Sequence, residues 1–325
     1  MAYRIKKAKK ERRLILNDNV SVDTQQEIKK AGINPKWKRW GFRGLLVFLV
    51  LIVFSLVITE IYLWQIQPAN LQLPPMKEGE TLNILLIGTD AGLLDGGGTM
   101  PPRSDVLMLF SFDLETRETA VVSIPRDTLV YLDGIGYNRI NAAHVFGGTA
   151  LTLSAVEELL HTTIHYYAKI NFQGFKILID SLGGVPIDVD KDMFYEDPYD
   201  IPPLSIDLKA GPQVLDGDKA EQYVRYRDEE GDIGRVERQQ KFMAALIQQL
   251  LKPTVWLRAP WAVVQLQPFL ETNMHLQHGV KFVTNYFFDK ETYHTTLPGV
   301  GQYIDGASYW LSNGLSLQQV WQQLK

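Results

Sequence analysis

The 325-residue chain contains no cysteine, so disulfides, thiolate nucleophiles and cysteine metal sites are excluded. Histidine is scarce: the six stand scattered, with no HExxH or comparable spacing, and no zinc site is expected. The glycine-rich stretch GLLDGGG lacks the GKS/T ending of a nucleotide-binding P-loop and reads as a loop. A net positive charge is also missing from most of the chain. Residues 1–43 hold 13 Lys/Arg against 4 Asp/Glu, whereas the remainder holds 20 against 33. A basic head on an acidic body argues against nucleic acid as a partner of the folded domain. It suits a chain whose two ends lie on opposite sides of a membrane.

What is present begins with one long apolar run. From Gly44 to Thr59 no residue is charged, and extension through Trp64 gives a helix long enough to cross a hydrocarbon core of roughly 30 Å. Trp37, Trp40, Tyr62 and Trp64 flank it as interfacial aromatics do. Lys36, Lys38, Arg39 and Arg43 precede it and only Glu60 sits at its far end, so the N-terminus is expected in the cytoplasm. A cleaved signal peptide would have a shorter apolar region nearer the N-terminus, and ITEIYLWQIQP offers no small-x-small cleavage site. The expected organisation is a basic cytoplasmic tail at 1–43, a transmembrane helix at 44–65, a Pro-containing linker at 66–80 and an extracytoplasmic domain at 81–325.

Residues 81–325 show neither internal repeats nor low-complexity segments and read as one α/β domain. TLNILLIGTD, DVLMLFSFD and TAVVSIP are expected strands, the last two joined by the polar turn LETRE. GGTALTLSAVEELLH has helical spacing, HYYAKINF reads as a strand, and FKILIDSLGGV is a helix closed by Gly183–Gly184. PIDVDKD is a short strand and DGDKAEQYV a short helix. IGRVERQQKFMAALIQQLLK is a long amphipathic helix with Val236, Met243, Ile247 and Leu250 on its apolar stripe. WAVVQLQPFLETNMHLQHGVKFVTNYF looks helical with a break at Pro268. Strands alternating with helices imply a central sheet covered on both faces.

Charged residues gather where strands end, which is where open α/β sheets bind ligands. Asp90 follows the first strand, Arg103 and Asp105 precede the second, and Arg126 and Asp127 follow the third. Arginine suits phosphate because its planar fork donates paired hydrogen bonds, and paired carboxylates suit Mg²⁺, a hard cation that also grips phosphate oxygens. YVRYRDEEGDIGRVERQQ is denser. An extended Arg225-Tyr226-Arg227 would point both guanidinia to one side. Asp232 stands where an N-cap would open the long helix, and Arg235 and Gln239 project together at i, i+4. A pyrophosphate would satisfy arginines aimed at one point, with the helix N-terminus adding its own pull on anions. An exposed ion-pair network with Asp228, Glu229, Glu230 and Glu237 accounts for the same residues.

ILLIGTD, RSDVLML, VVSIPRDT, RINAAH, LIDSLGGV, LDGDKAEQYVRYR and GDIGRVERQQ follow one another between residues 83 and 240. In order and wording they resemble the LytR-CpsA-Psr family, and YHTTLPGVGQYIDGASYW is similar to the end of that family's catalytic domain. The resemblance implies a central mixed β-sheet flanked by helices on both faces, behind one N-terminal transmembrane helix. It implies a Mg²⁺-dependent phosphotransferase, which moves a teichoic acid, capsule or other polysaccharide from a polyprenyl-pyrophosphate carrier to peptidoglycan. Carried over by residue, it makes Asp90 and Asp105 the Mg²⁺ carboxylates, although such a pair would take Mn²⁺ as readily. Arg103, Arg126, Arg225, Arg227, Arg235 and Gln239 become the pyrophosphate ligands, with Arg126, Arg225, Arg227 and Asp232 at the reacting centre. Asp232 or Asp105 would take up the proton of the attacking hydroxyl. The chain departs from the family pattern at Arg139, His144 and Asn171, where Lys, an aromatic such as Tyr, and Asp are frequent. Phosphoryl transfer needs positioning and electrostatics more than a covalent nucleophile, so the lack of a Ser–His or Cys–His pairing is no obstacle. The lipid tail calls for an apolar tunnel between sheet and helices. Other readings stay open: a hydrolase using water on the same lipid, a non-catalytic lipid-binding or regulatory module, and transfer to a protein acceptor.

Overall fold

The computed structural model describes residues 57, 59–61, 74, 81–90, 92, 100–198, 203–227, 232–256 and 258–324. All fall within the unit Phe54–Lys325. The tail, most of the apolar run and most of the linker expected from the sequence lie outside the described residues.

Three antiparallel strands open the domain: β1 (Leu82–Thr89), β2 (Ser104–Asp113) and β3 (Glu118–Ile124). Asp113 Oδ1 accepts from the backbone N–H of Glu115 and Thr116, both at 3.0 Å, and so closes the turn between β2 and β3. A small hairpin follows, β4 (Leu129–Leu132) and β5 (Gly136–Arg139), then helix α1 (Ala142–Leu160). Helix α1 starts earlier than its apolar spacing predicts and kinks at Gly147 and Gly148, whose backbone angles are not helical. Strand β6 (Tyr166–Asn171) pairs parallel with β1, and Asn171 caps α2 (Phe172–Leu182) through the N–H of Gly174.

Four short strands, β7 (Val185–Val189), β8 (Met193–Asp197), β9 (Leu204–Leu208) and β10 (Gly211–Leu215), then pair as two hairpin-like ribbons, β7 with β10 and β8 with β9. Helix α3 (Gly217–Arg225), capped by Asp216, leads to α4 (Asp232–Leu250), α5 (Pro253–Trp256) and α6 (Ala259–Leu266). Here the structure corrects the sequence reading. The segment taken as helix with a break at Pro268 contains strand β11 (Leu270–Thr272), which pairs antiparallel with β6 before α7 (Leu276–Phe288) begins. Proline cannot continue a helix, and tertiary bonds from Lys169, Thr149 and Tyr167 to Glu271 hold the extended conformation. Strand β12 (Glu291–Thr296), the hairpin β13 (Gly299–Ile304) and β14 (Ala307–Ser312), and α8 (Leu317–Leu324) complete the order.

The main sheet has six strands in the order β11-β6-β1-β2-β3-β12, with β6/β1 and β3/β12 parallel and the other pairs antiparallel. It is the mixed sheet expected, and strand alternation gives each face its own core. Leu85, Ile87, Leu109 and Val122 pack against Leu153 and Val156 of α1 and Trp321 of α8. Ile84, Met108, Phe110 and Val121 pack on the other face against Ile247 of α4 and Phe282 of α7. Phe282 meets the Phe110 ring edge-on at 5.0 Å. A third cluster joins α2, the short strands and α3 to α4 through Phe242 and Leu246. Helix α4 is thus wedged between two cores, which is why Phe242, Leu246 and Ile247 are nearly inaccessible.

Gly217 shows how tightly α3 is seated. A Cβ there would lie 2.6 Å from the backbone oxygen of Lys176 on α2. Gly217→Ala is therefore expected to lower stability by about 1–3 kcal/mol through overpacking against main chain. A melting temperature equal to that of the wild type would refute this.

Candidate active site

Between β1 and β2 the register runs Gly88↔Val106 and then Thr89↔Ser104, leaving Asp105 as the extra residue of a bulge. Bulges re-aim side chains and gather beside functional sites. Here the bulge brings Asp105 to Arg126, whose Nη1 donates to Asp105 Oδ1 at 2.9 Å. Arg126 sits in the turn after β3, which Thr128 closes by donating N–H and Oγ1–H to the Pro125 carbonyl at 3.0 and 2.6 Å.

Arg225 is the last residue of α3 rather than part of an extended run, which corrects the sequence expectation. Glu221, one turn back, accepts from it at 2.8 Å, and the Phe172 ring lies 4.8 Å beneath its guanidinium. Leaving the helix at Tyr226 carries the exposed Arg227 toward the same space. Arg235, buried on the first turns of α4, and Gln239 one turn on arrive from the other side, with Gln239 Nε2 donating to the Val224 carbonyl at 3.2 Å.

Two adjoining cavities of about 290 and 230 Å³ share Asp105, Arg126, Arg227, Arg235 and Gln239, and Arg225 lines the second. Six of the nine residues singled out from sequence thus converge. Asp90 and Arg103 do not line these cavities. Asp90 Oδ1 accepts from the N–H groups of Gly92 and Arg103 at 3.1 and 2.8 Å, and the Arg103 side chain is exposed. The side chain of Asp232, first residue of α4, lies outside the described residues, as do Asp228, Glu229 and Glu230.

Sequence reasoning missed part of the wall. Tyr195 and Asp197 come from β8, and Ser308, Tyr309 and Trp310 from β14. Arg139 ties that hairpin down: its Nε donates to the Ser308 carbonyl at 3.1 Å, lies 3.5 Å from an Asp127 oxygen, and its guanidinium stacks 5.4 Å from the Tyr309 ring. Nothing local in the β8 sequence signals this role.

A third cavity, of about 240 Å³, lies between the sheet and α2, α4 and α7. Its wall is almost wholly apolar, with Leu86, Met108, Ile170, Phe175, Met243 and Phe282 among its residues. It shares Val106, Phe172, Val224 and Gln239 with the arginine cavity, so apolar and cationic spaces adjoin.

As for a metal, no group of three or more His, Asp or Glu able to hold one is found among the described residues. The donors at hand, Asp90 and Asp105 at the end of β1 and the start of β2, are hard carboxylate oxygens. Carboxylates of this kind suit Mg²⁺, which is commonly bound by one or two of them together with substrate phosphates, but only Asp105 of the two lines the arginine cavities.

The LytR_cpsA_psr family profile matches residues 63–325. The chain belongs to the LytR_cpsA_psr family. Among its relatives, the polyisoprenyl-teichoic acid–peptidoglycan teichoic acid transferase TagU of Enterococcus faecalis is 31% identical over 77% of this chain and 80% of that protein. The regulatory protein MsrR of Staphylococcus aureus is 32% identical over 62% of this chain, a stretch covering 58% of MsrR. Similar solved structures include TagV of Bacillus subtilis, with a TM-score of 0.62 at 28% identity, covering 77% of this chain and 97% of TagV. TagT bound to LI-WTA follows at 0.61 and 26%, covering 79% and 97%.

Two histidines add a pH dependence to this family domain. Burial is the largest cause lowering the pKa of the buried His144 and the half-buried His278 below 6.5. Below about pH 6.5 the unfolded chain therefore binds more protons than the folded one, and stability falls as pH drops toward the lowered values. The melting temperature at about pH 5.5 is expected to lie below that at about pH 7.5; equal values would contradict this.

Proposed function

We propose that this chain is a membrane-anchored phosphotransferase that moves a glycopolymer from a polyprenyl-pyrophosphate carrier to peptidoglycan. The observation that carries the reading is the junction of an arginine-lined cavity with an apolar one. A lipid pyrophosphate has both needs in one molecule. The apolar cavity receives the prenyl chain, and Arg126, Arg225, Arg227 and Arg235, with Gln239, receive the pyrophosphate at its mouth. The TagU relationship supports teichoic acid as one donor glycan and peptidoglycan as acceptor.

In the reaction a sugar hydroxyl attacks the glycan-side phosphorus. A new P–O bond forms, the bond to the bridging oxygen breaks, and polyprenyl phosphate leaves. The arginines hold the phosphates in line and neutralise charge as it moves to the leaving oxygen. The hydroxyl proton passes to a carboxylate, Asp232 or Asp105. Asp90 and Asp105 would hold Mg²⁺, or Mn²⁺, whose contribution is to neutralise phosphate oxygens. A transmembrane helix at 44–65, as expected from the sequence, would hold the domain on the outer side of the cytoplasmic membrane, where the carrier lipid lies.

The test uses the full chain in lipid nanodiscs with a polyprenyl-pyrophosphate glycan and peptidoglycan oligomers, with and without Mg²⁺. Metal-dependent appearance of phosphate-linked glycan on the oligomers is expected. Release of polyprenyl phosphate with the glycan on water would convert the reading to a hydrolase. Binding of the lipid without turnover would favour a regulatory module, the role carried in MsrR's name.

A further inference from the structure

A fourth cavity, of about 480 Å³, opens at the ends of β1 and β6. It is lined by Thr89, His144, Lys169, Asn171, Phe269 and Glu271 among others, none of which lines the arginine cavities. It touches the proposed lipid cavity through Thr89, Asn171 and Leu270. We propose that this cavity is a carbohydrate subsite in which His144 Nε2 accepts a hydrogen bond from a sugar hydroxyl.

The argument starts at His144, which is only 5% exposed. Its Nδ1 lies 2.8 Å from the Pro102 carbonyl oxygen. A carbonyl only accepts, so Nδ1 carries the proton and Nε2 of the neutral ring is an acceptor. Nε2 is buried and has no hydrogen-bond partner in the protein. A buried acceptor left unmatched is costly, and a ligand donor would satisfy it. Burial, followed by the charge of Lys169, keeps the ring neutral against the opposing pull of the Pro102 carbonyl.

The charge balance then selects the ligand class. Lys169 is ion-paired with Glu271, and Glu271 also accepts from Thr149 at 2.8 Å and Tyr167 at 3.1 Å. Burial raises the Glu271 pKa, but these bonds outweigh it and hold the carboxylate ionised. The charges of the wall therefore balance, unlike those of the arginine cavity, and do not invite a phosphate. It offers mixed donors and acceptors beside the Phe269 ring, which matches the hydroxyl edges and apolar face of a sugar. Its volume lies in the range of about 300–1,000 Å³ typical of ligand sites.

The sugar has two sources, the peptidoglycan acceptor or the glycan of the donor, and only this choice rests on the transferase reading. The test is calorimetric titration of the full chain in nanodiscs. The probes are muramidase-released peptidoglycan oligomers and polyprenyl pyrophosphate with and without its glycan. His144→Asn keeps an amide donor for the Pro102 carbonyl and removes Nε2. Gln267→Trp, at an exposed lining position, fills the cavity without disturbing the buried network. Each variant is expected to weaken one glycan probe, roughly threefold to tenfold for the loss of one hydrogen bond in His144→Asn. Affinity for the glycan-free lipid should be unchanged. Loss with the oligomers assigns the acceptor, and loss with the glycan-bearing carrier assigns the donor. Wild-type affinity for both glycan probes in either variant overturns the proposal. Sugar binding without transfer to oligomers would defeat the transferase reading and leave the subsite standing.

Discussion

Replacing Arg126 with alanine is expected to lower kcat/KM for glycan transfer by about 10²–10³-fold, the usual loss for one preorganised donor facing transition-state charge. Two features make this the most damaging of the arginine changes. Arg126 is held in the turn after β3 by main-chain bonds around Pro125 and Thr128, so it meets the phosphate already oriented. It is also the partner of Asp105, at 2.9 Å. Without Arg126 that carboxylate stays in the cavity and repels the pyrophosphate. Folding should hardly respond, because the side chains of the pair are 27% and 22% exposed, and partly solvated ion pairs contribute little to stability. Arg126→Lys should recover part of the loss, since lysine restores the charge but not the paired donors. Transfer of labelled glycan to peptidoglycan oligomers measures both variants, and near-wild-type turnover of Arg126→Ala would remove the arginine cavity from the chemistry.

The second large effect concerns the lipid. Ala168 lies on β6, paired with Leu86 of β1, and both line the apolar cavity. Ala168→Trp would fill the space that the proposed function assigns to the prenyl chain. Each buried CH₂ is worth about 0.8 kcal/mol, so excluding one isoprene unit should weaken binding by on the order of 10²–10³-fold. The contrast between carriers is the sharper readout. Wild-type protein should bind a long-chain polyprenyl pyrophosphate far more tightly than a short-chain one, and Ala168→Trp should erase that difference. Arginine contacts would remain, so short-chain affinity should stay close to that of the wild type. A long-chain preference that survives the substitution would place the lipid elsewhere on the protein.

How much of this was legible in the residues varies along the chain. TLNILLIGTD, DVLMLFSFD and TAVVSIP are apolar enough for the central strands of a sheet covered on both faces, and they became β1, β2 and β3. The stripe on α4 was legible for the same reason, since a period of 3.6 residues sets one side against the core. Leu270–Thr272 was not, because three residues carry too little pattern and their extended form depends on bonds from β6 and α1. Arg225 read as extended because alternation alone cannot register a helix that ends on the arginine itself.

The candidate site divides in the same way. Residue type and motif order selected Asp105, Arg126, Arg225, Arg227, Arg235 and Gln239, because phosphate chemistry demands guanidinia and carboxylates whatever the fold. Their convergence needed the bulge at Asp105, the end of α3 and the first turns of α4 to face one space. No local pattern encodes that meeting. Tyr195, Trp310 and the apolar cavity were decided by tertiary structure alone, because a wall is made of residues far apart in the chain whose only common property is where packing leaves them. The sequence by itself determined which chemistry was available, through side chains whose charge and donor geometry do not depend on fold. Tertiary structure decided where that chemistry is concentrated, because distance and burial arise only when the sheet and helices close on each other.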